Sequence, residues 1–101
     1  MDLTAKNFDS VINNKGTVLV DFWAVWGGPC QMQSNILDAL EAKHGSAFTI
    51  TKLNVDDEPS IAGRYGITTV PTLIVFREGQ EISRAVGVQT VEQLEKMLGQ
   101  S

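Results

Sequence analysis

The chain offers one side chain that could act as a sulfur nucleophile, the thiol of Cys30. It ends segment 23–30, which reads WAVWGGPC. A thiol reacts as its thiolate, so its chemistry depends on a lowered pKa and on access for a reaction partner. The 101 residues contain no other cysteine, so no internal disulfide can form. Turnover that cycles two thiols of one chain through a disulfide is therefore excluded, and the free thiol suits a reducing compartment.

A carboxyl group interrupts the most apolar segment of the chain. Residues 17–23 read TVLVDFW, a pattern typical of a strand that is buried on both faces. Burial disfavours the charged form of a carboxyl group, so we expect the pKa of Asp21 to be raised. Such groups collect at functional sites. Lys52, in the neighbouring predicted strand, is a candidate partner, although the two could also form a purely structural buried pair.

The segments that must position these groups alternate between strands and helices. Strands are predicted at 17–23, 48–55, 72–76 and 81–86, and helices at 2–12, 29–43, 59–65 and from Thr90 onward. Carboxylates at 56–58 are expected to cap the third helix. A strand–helix–strand unit implies a parallel pair with a right-handed crossover. The sequence therefore predicts an α/β protein with a mixed sheet, in one domain over residues 1–101.

Composition narrows the range of partners. The formal net charge is −4, and Lys and Arg are not clustered as they are in nucleic-acid-binding proteins. We recognise neither a signal sequence nor an apolar run long enough to span a bilayer, so we expect a cytoplasmic protein without membrane partners. The acidic run at 56–58 does not have the spacing of a calcium loop. We therefore expect no metal site and no cofactor.

A set of short strings resembles the thioredoxin family. They are VDFWA at 20–24, Trp26, GPC at 28–30, KLNVD at 52–56, YGI at 65–67, VPT at 70–72 and Gly87, in the order and spacing of the family. This resemblance covers nearly the whole chain. It implies the thioredoxin fold, a central mixed β-sheet flanked by helices, with a cis-proline at Pro71.

The resemblance also implies a surface that binds extended polypeptide. In the family, the residue before the cis-proline presents its backbone to a substrate segment, in a mode similar to strand addition. Aromatic residues are frequent at binding hot spots, which favours Trp26 as a contact. We call the following residues the docking surface: Trp26, Gly27, Gly28, Pro29, Val70, Pro71, Gly87 and Val88.

The chain departs from the family at the residue that begins the reaction. The family loop reads Trp-Cys-Gly-Pro-Cys, and Gly27 occupies the position of the first, attacking cysteine. Cys30 corresponds to the second cysteine, for which an aspartate–lysine pair, here Asp21 and Lys52, relays a proton. Asn35 replaces a proline that bends the following helix, so a straighter helix is expected. Cys30 is either a buried apolar residue or a thiol left open by the two glycines before it.

Three functions are compatible with these residues. The first is a polypeptide-binding module that uses the docking surface without redox turnover. The second is a monothiol enzyme in which Cys30, assisted by Asp21, exchanges with glutathione or a protein disulfide. The third is an active-site variant of an ordinary thioredoxin oxidoreductase. Expected partners are therefore extended protein or peptide segments, with thioredoxin reductase or glutathione as further candidates, and the chain is a monomer or a dimer joined through Cys30.

Overall fold

The computed structural model describes residues 1–99, which form a four-stranded sheet with helices on both faces. The elements in chain order are α1 (Phe8–Ile12), β1 (Thr17–Trp23), α2 (Pro29–His44), β2 (Thr49–Asn54), α3 (Pro59–Arg64), β3 (Thr72–Arg77), β4 (Gln80–Val86) and α4 (Val91–Met97). The strand order is β2-β1-β3-β4. β1 and β2 are parallel, whereas β1–β3 and β3–β4 are antiparallel. The predicted mixed sheet is confirmed.

The sheet separates two apolar cores. Successive side chains of a strand point to opposite faces, and β1 is buried on both. Val18, Val20 and Phe22 pack on the face that carries α1 and α3. Leu19 packs on the other face with Leu37 of α2 and with α4. By the same alternation, Asp21 lies on the face that carries α2, the helix whose first turn contains Cys30.

The N-terminal helix begins later than the sequence pattern indicates. Residues 2–12 were expected to be helical, but α1 starts at Phe8 and residues 1–3 extend along β2. The N–H of Leu3 donates to the Lys52 carbonyl at 2.7 Å, and the N–H of Lys52 donates to the Met1 carbonyl at 2.8 Å. This pairing satisfies hydrogen-bonding groups at the free edge of β2 and buries Leu3. A helix of the predicted length, over 2–12, is only marginally stable by itself.

The expected capping of α3 by the carboxylates at 56–58 was also wrong. Glu58 is the N-cap residue of α3, and its side chain makes no capping hydrogen bond to the residues that the structure describes. Instead, Asn54 Oδ1 accepts hydrogen bonds from the N–H groups of Asp56 at 2.9 Å and Asp57 at 3.3 Å. The Asn54 side chain thus stabilises the turn before α3, a role that was expected of the carboxylates at 56–58. This arrangement leaves the Asp56 carboxylate available for another contact.

Other local signals are confirmed. α2 has Pro29 in its first turn and runs without interruption over 16 residues to a C-cap at Gly45, whose φ is 60°. α4 has the predicted capping box between Thr90 and Gln93. The β3–β4 hairpin turns at Glu78 and Gly79, with φ of 52° and 81°. Within residues 1–99, the helices lack the length and apolar character needed to cross a bilayer.

Candidate functional site

The loop between β1 and α2 holds the thiol at the start of a helix. β1 ends at Trp23, and the Gly27 N–H donates to the Ala24 carbonyl at 3.2 Å. The Cys30 N–H then donates to the Gly27 carbonyl at 2.9 Å, which closes the turn into α2. Cys30 therefore lies in the first turn of α2, directly above the end of the central strand.

Asp21 is a buried carboxyl group beneath this loop. Its side chain is fully buried, and within residues 1–99 neither carboxylate oxygen has a hydrogen-bond partner. Loss of water raises the pKa of Asp21 to about 7, although the positive charge of Lys52 acts in the opposite direction. The prediction of a raised pKa is confirmed. Near neutral pH the group is therefore close to half protonated.

Lys52 lies beside Asp21 in the sheet but bonds to a different side chain. The two residues are paired in register across β1 and β2. Lys52 Nζ donates to the hydroxyl of Ser34 on α2. Among the salt bridges of residues 1–99, none joins Lys52 to Asp21. The lysine thus influences the aspartate through its charge rather than through a direct ion pair.

The structure supports the buried alternative for Cys30. Only 5% of the residue is exposed, even though two glycines precede it in the loop. Burial raises the pKa of the Cys30 thiol, and the nearby Asp21 charge raises it further, while a backbone hydrogen bond from Ala24 acts in the opposite direction. A thiol with a raised pKa and little access is a poor nucleophile at neutral pH.

A cleft of about 350 Å³ lies beside the loop. Asp21, Lys52 and Cys30 line it, together with Ser34 and Gly28. The structure therefore brings the three candidate catalytic residues to one site.

Gly27 lies where the structure has almost no room for a side chain. A Cβ atom at this position would be 2.8 Å from Val70 Cγ2 and 2.9 Å from Cys30 Sγ. Both distances are shorter than van der Waals contact. Val70 and Cys30 therefore both border the space that a side chain at position 27 would need.

The other docking-surface residues form a rim around this position. The Val70–Pro71 peptide bond is cis, as predicted. The N–H of Gly87 donates to the Pro71 carbonyl at 2.8 Å, which brings the residues after β4 against the proline turn. Trp26 is 66% exposed, and its Nε1 donates to Asp56 Oδ2 at 2.8 Å. Gly28 and Pro29 are exposed, and Val88 is half-buried.

Sequence reasoning missed four residues that position the site. Ser34 lies four residues after Cys30, a spacing that puts both on one face of a helix, but its contact with Lys52 depends on the tertiary fold. Gln33 is a polar residue on the inner stripe of α2 and could have been noticed for that reason. Asp56 was assigned to capping rather than to Trp26, and nothing in the local sequence distinguishes Gln89.

Comparisons with known proteins agree with this architecture. The Thioredoxin family model matches residues 1–100. A thioredoxin from Alicyclobacillus acidocaldarius is 43% identical over 98 residues, which cover 97% of this chain and 93% of that protein. A thioredoxin from Staphylococcus aureus is 44% identical over 96 residues, covering 95% and 91% of the two chains. One from Porphyra purpurea is 44% identical over 88 residues, covering 87% and 82%.

The four-stranded mixed sheet with a cis-proline beside the start of α2 defines an α/β protein of the thioredoxin fold. With the family match over residues 1–100, this chain belongs to the thioredoxin family.

Proposed function

We propose that this chain binds extended polypeptide segments on its docking surface and does not carry out dithiol turnover. The observation that carries the proposal is a contrast in access. Trp26 on the docking surface is 66% exposed, whereas only 5% of Cys30 is exposed. Trp26, Gly28 and Pro29 are exposed on this surface, whereas the thiol that would react with a polypeptide is buried. A polypeptide can therefore dock without meeting a reactive thiol.

The backbone at the proline turn supports binding by strand addition. Within residues 1–99, neither the N–H nor the C=O group of Val70 takes part in a hydrogen bond. Free main-chain groups beside an exposed apolar side chain are what an extended segment needs for pairing. The Trp26 indole supplies that apolar area, and its bond to Asp56 limits the freedom that binding would remove.

The sequence supports the absence of dithiol turnover. Members of the thioredoxin family bind protein substrates and thioredoxin reductase, and a dithiol cycle requires two cysteines. This chain has one cysteine, with Gly27 at the position of the attacking thiol. Under the proposal, a partner is held by non-covalent contacts, and thioredoxin reductase finds no disulfide to reduce.

A second candidate function is monothiol exchange through Cys30, and Asp21 is the observation that favours it. Its carboxyl group, which has no hydrogen-bond partner among residues 1–99, lines the same cleft as Cys30 and has a pKa raised to about 7. Asp21 would take the thiol proton, and the thiolate would attack glutathione disulfide or a protein disulfide. One new mixed disulfide would form, one S–S bond would break, and one thiolate would leave. The buried position of Cys30 weighs against this candidate.

Binding can be tested with S-carboxymethylated insulin B chain, an unfolded polypeptide that has no free thiol. We expect the wild-type chain to bind it, and Trp26→Ala to weaken binding about 30-fold, as loss of a hot-spot aromatic does. The matched control is Ile82→Ala, because Ile82 is an exposed apolar residue outside the docking surface. Failure of the wild-type chain to bind, or equal losses in the two variants, would contradict the proposal.

Turnover is tested separately by reduction of intact insulin with thioredoxin reductase and NADPH. We expect no sustained NADPH oxidation above the rate without the chain. Continued turnover at catalytic amounts of the chain would exclude a pure binding function and favour exchange through Cys30.

A further inference from the structure

Gln33 is a fully buried amide on the face of α2 that packs against the sheet. It lies one turn after Cys30 and shares its helix face with Leu37 and Leu40, which belong to the apolar core. A buried amide destabilises the fold unless its donor and acceptor are both satisfied. The partners of Gln33 therefore show what this polar residue contributes.

Both ends of the Gln33 amide bond to the backbone of one residue. Gln33 Oε1 accepts a hydrogen bond from the Gln89 N–H at 2.7 Å, and Gln33 Nε2 donates to the Gln89 carbonyl at 3.1 Å. This paired arrangement is satisfied by only one orientation of the amide, because the reverse would set donor against donor. The Gln33 amide thus pairs with both backbone groups of Gln89, as the backbone of a neighbouring β-strand does.

Gln89 connects this contact to the docking surface. Its side-chain Nε2 donates to the Gly87 carbonyl at 3.1 Å, and the Gly87 N–H donates to the Pro71 carbonyl at 2.8 Å. A series of hydrogen bonds therefore joins the helix that carries the thiol to the proline turn. Gly87 and Val88 lie within that series, held from Gln89 on one side and from Pro71 on the other.

We propose that Gln33 is a positioning residue that holds Gly87 and Val88 in the conformation that an extended polypeptide contacts, and so sets how long the polypeptide stays bound. This inference rests on the proposed binding function. A segment that is already ordered loses less conformational freedom on binding, and such differences are expressed mainly in the dissociation rate. Gln33 itself is buried and does not contact the polypeptide.

The first test replaces Gln33 with methionine, which is similar in length but has no strong hydrogen-bonding group. We expect Gln33→Met to release S-carboxymethylated insulin B chain about tenfold faster, since two hydrogen bonds that order the segment are lost. Amide hydrogen exchange should become faster at residues 87–89 and remain unchanged in β1. The matched control is Gln31→Met, the same change on the exposed side of α2, where the Gln31 amide donates to Asn35.

The second test uses Gln33→Glu, which separates a hydrogen-bonding role from a packing role. A protonated glutamic acid keeps one donor and one acceptor, whereas the carboxylate sets negative charge against the Gln89 carbonyl. The ratio of the variant's affinity to that of the wild-type chain at the same pH should fall as the buried carboxyl ionises, between about pH 5 and pH 9. A packing role predicts a ratio that does not change with pH.

The outcomes distinguish this inference from the proposed function. If the wild-type chain does not bind the polypeptide, the proposed function fails, and amide exchange still tests the control of residues 87–89 by Gln33. If the wild-type chain binds and Gln33→Met releases the polypeptide at the wild-type rate, the inference is overturned. Should Gln33→Met not fold, Gln89→Ala removes only the bonds from the Gln89 side chain, and release about threefold faster is expected.

Discussion

The rim of the site and its interior differ in the state of their polar groups. On the rim, the Trp26 indole is exposed and hydrogen-bonded to Asp56, and among residues 1–99 the backbone N–H and C=O groups of Val70 have no hydrogen-bond partner. In the interior, the Cys30 thiol is buried, and so is the Asp21 carboxyl group, for which the described part of the chain supplies no hydrogen-bond partner. The proposed function therefore assigns binding and reaction to different groups, which also differ in their exposure to solvent.

Position 27 is where the two regions meet. On one side Val70 belongs to the rim, and on the other Cys30 belongs to the interior, and both would crowd a side chain placed between them. Glycine has no side chain to crowd, so Val70 and Cys30 can both lie this near to position 27. The proposed function assigns binding to the rim and leaves the interior unreactive.

The largest expected effect is on the pH dependence of stability, and it comes from Asp21 in the interior. The pKa of Asp21 is raised from 3.8 to about 7, so the folded state holds a proton that the unfolded chain releases. Stability is therefore highest below the unfolded pKa and declines as pH rises through the folded pKa, by up to about 4 kcal/mol. Asp21→Asn should abolish this decline in denaturant unfolding measured across that range. An equal decline in the variant would show that other groups cause it.

A smaller effect is expected at the boundary. Gly27→Ala places a methyl group against Val70 and Cys30 and should lower the free energy of unfolding by about 1–3 kcal/mol. Gly28→Ala is the matched control, because a Cβ there lies more than 4 Å from the neighbouring atoms of residues 1–99. Val70→Ala should relieve the crowding, so the double variant with Gly27→Ala loses less than the sum of the single changes. Additive losses would mean that Val70 does not close over position 27.

The rate at which Cys30 is alkylated tests whether the interior of the site is closed to reagents. Alkylation by iodoacetamide at neutral pH should be slow in the folded chain, because burial raises the pKa of the thiol and limits access. Asp21→Asn removes a negative charge that raises this pKa, so alkylation should become severalfold faster. Slower alkylation in the variant would instead identify Asp21 as the base of a monothiol enzyme. The denatured chain gives the reference rate.

The smallest effect is expected at the edge of the rim. Asp56→Ala removes the acceptor of the Trp26 indole and leaves the ring in place. Binding of S-carboxymethylated insulin B chain should weaken about threefold, the effect of one exposed hydrogen bond. Asp57→Ala is the matched control, since it removes the neighbouring exposed carboxylate. Equal affinities in the two variants would show that orientation of the indole does not matter.

The strands and helices could be predicted from the sequence better than the side-chain contacts between them. The run at 17–23 and the alternation of strands and helices were sufficient for the sheet, because burial on both faces is visible in composition. The buried Asp21 followed from the same pattern. The contact of Lys52 with Ser34 could not be predicted, because it joins two elements whose spacing depends on the packed fold. Residues 2–7 were wrongly assigned to a helix, because pairing along a strand edge, which Asp2 makes with Lys52, leaves no local signal.

The most direct test of the central claim removes the thiol. Cys30→Ala and the wild-type chain are compared for binding of S-carboxymethylated insulin B chain, with denaturant unfolding measured for both. Because binding is assigned to the rim and not to the interior, the two dissociation constants should agree within about twofold, less than the effect of one hydrogen bond. Loss of binding in a folded Cys30→Ala variant would contradict the account.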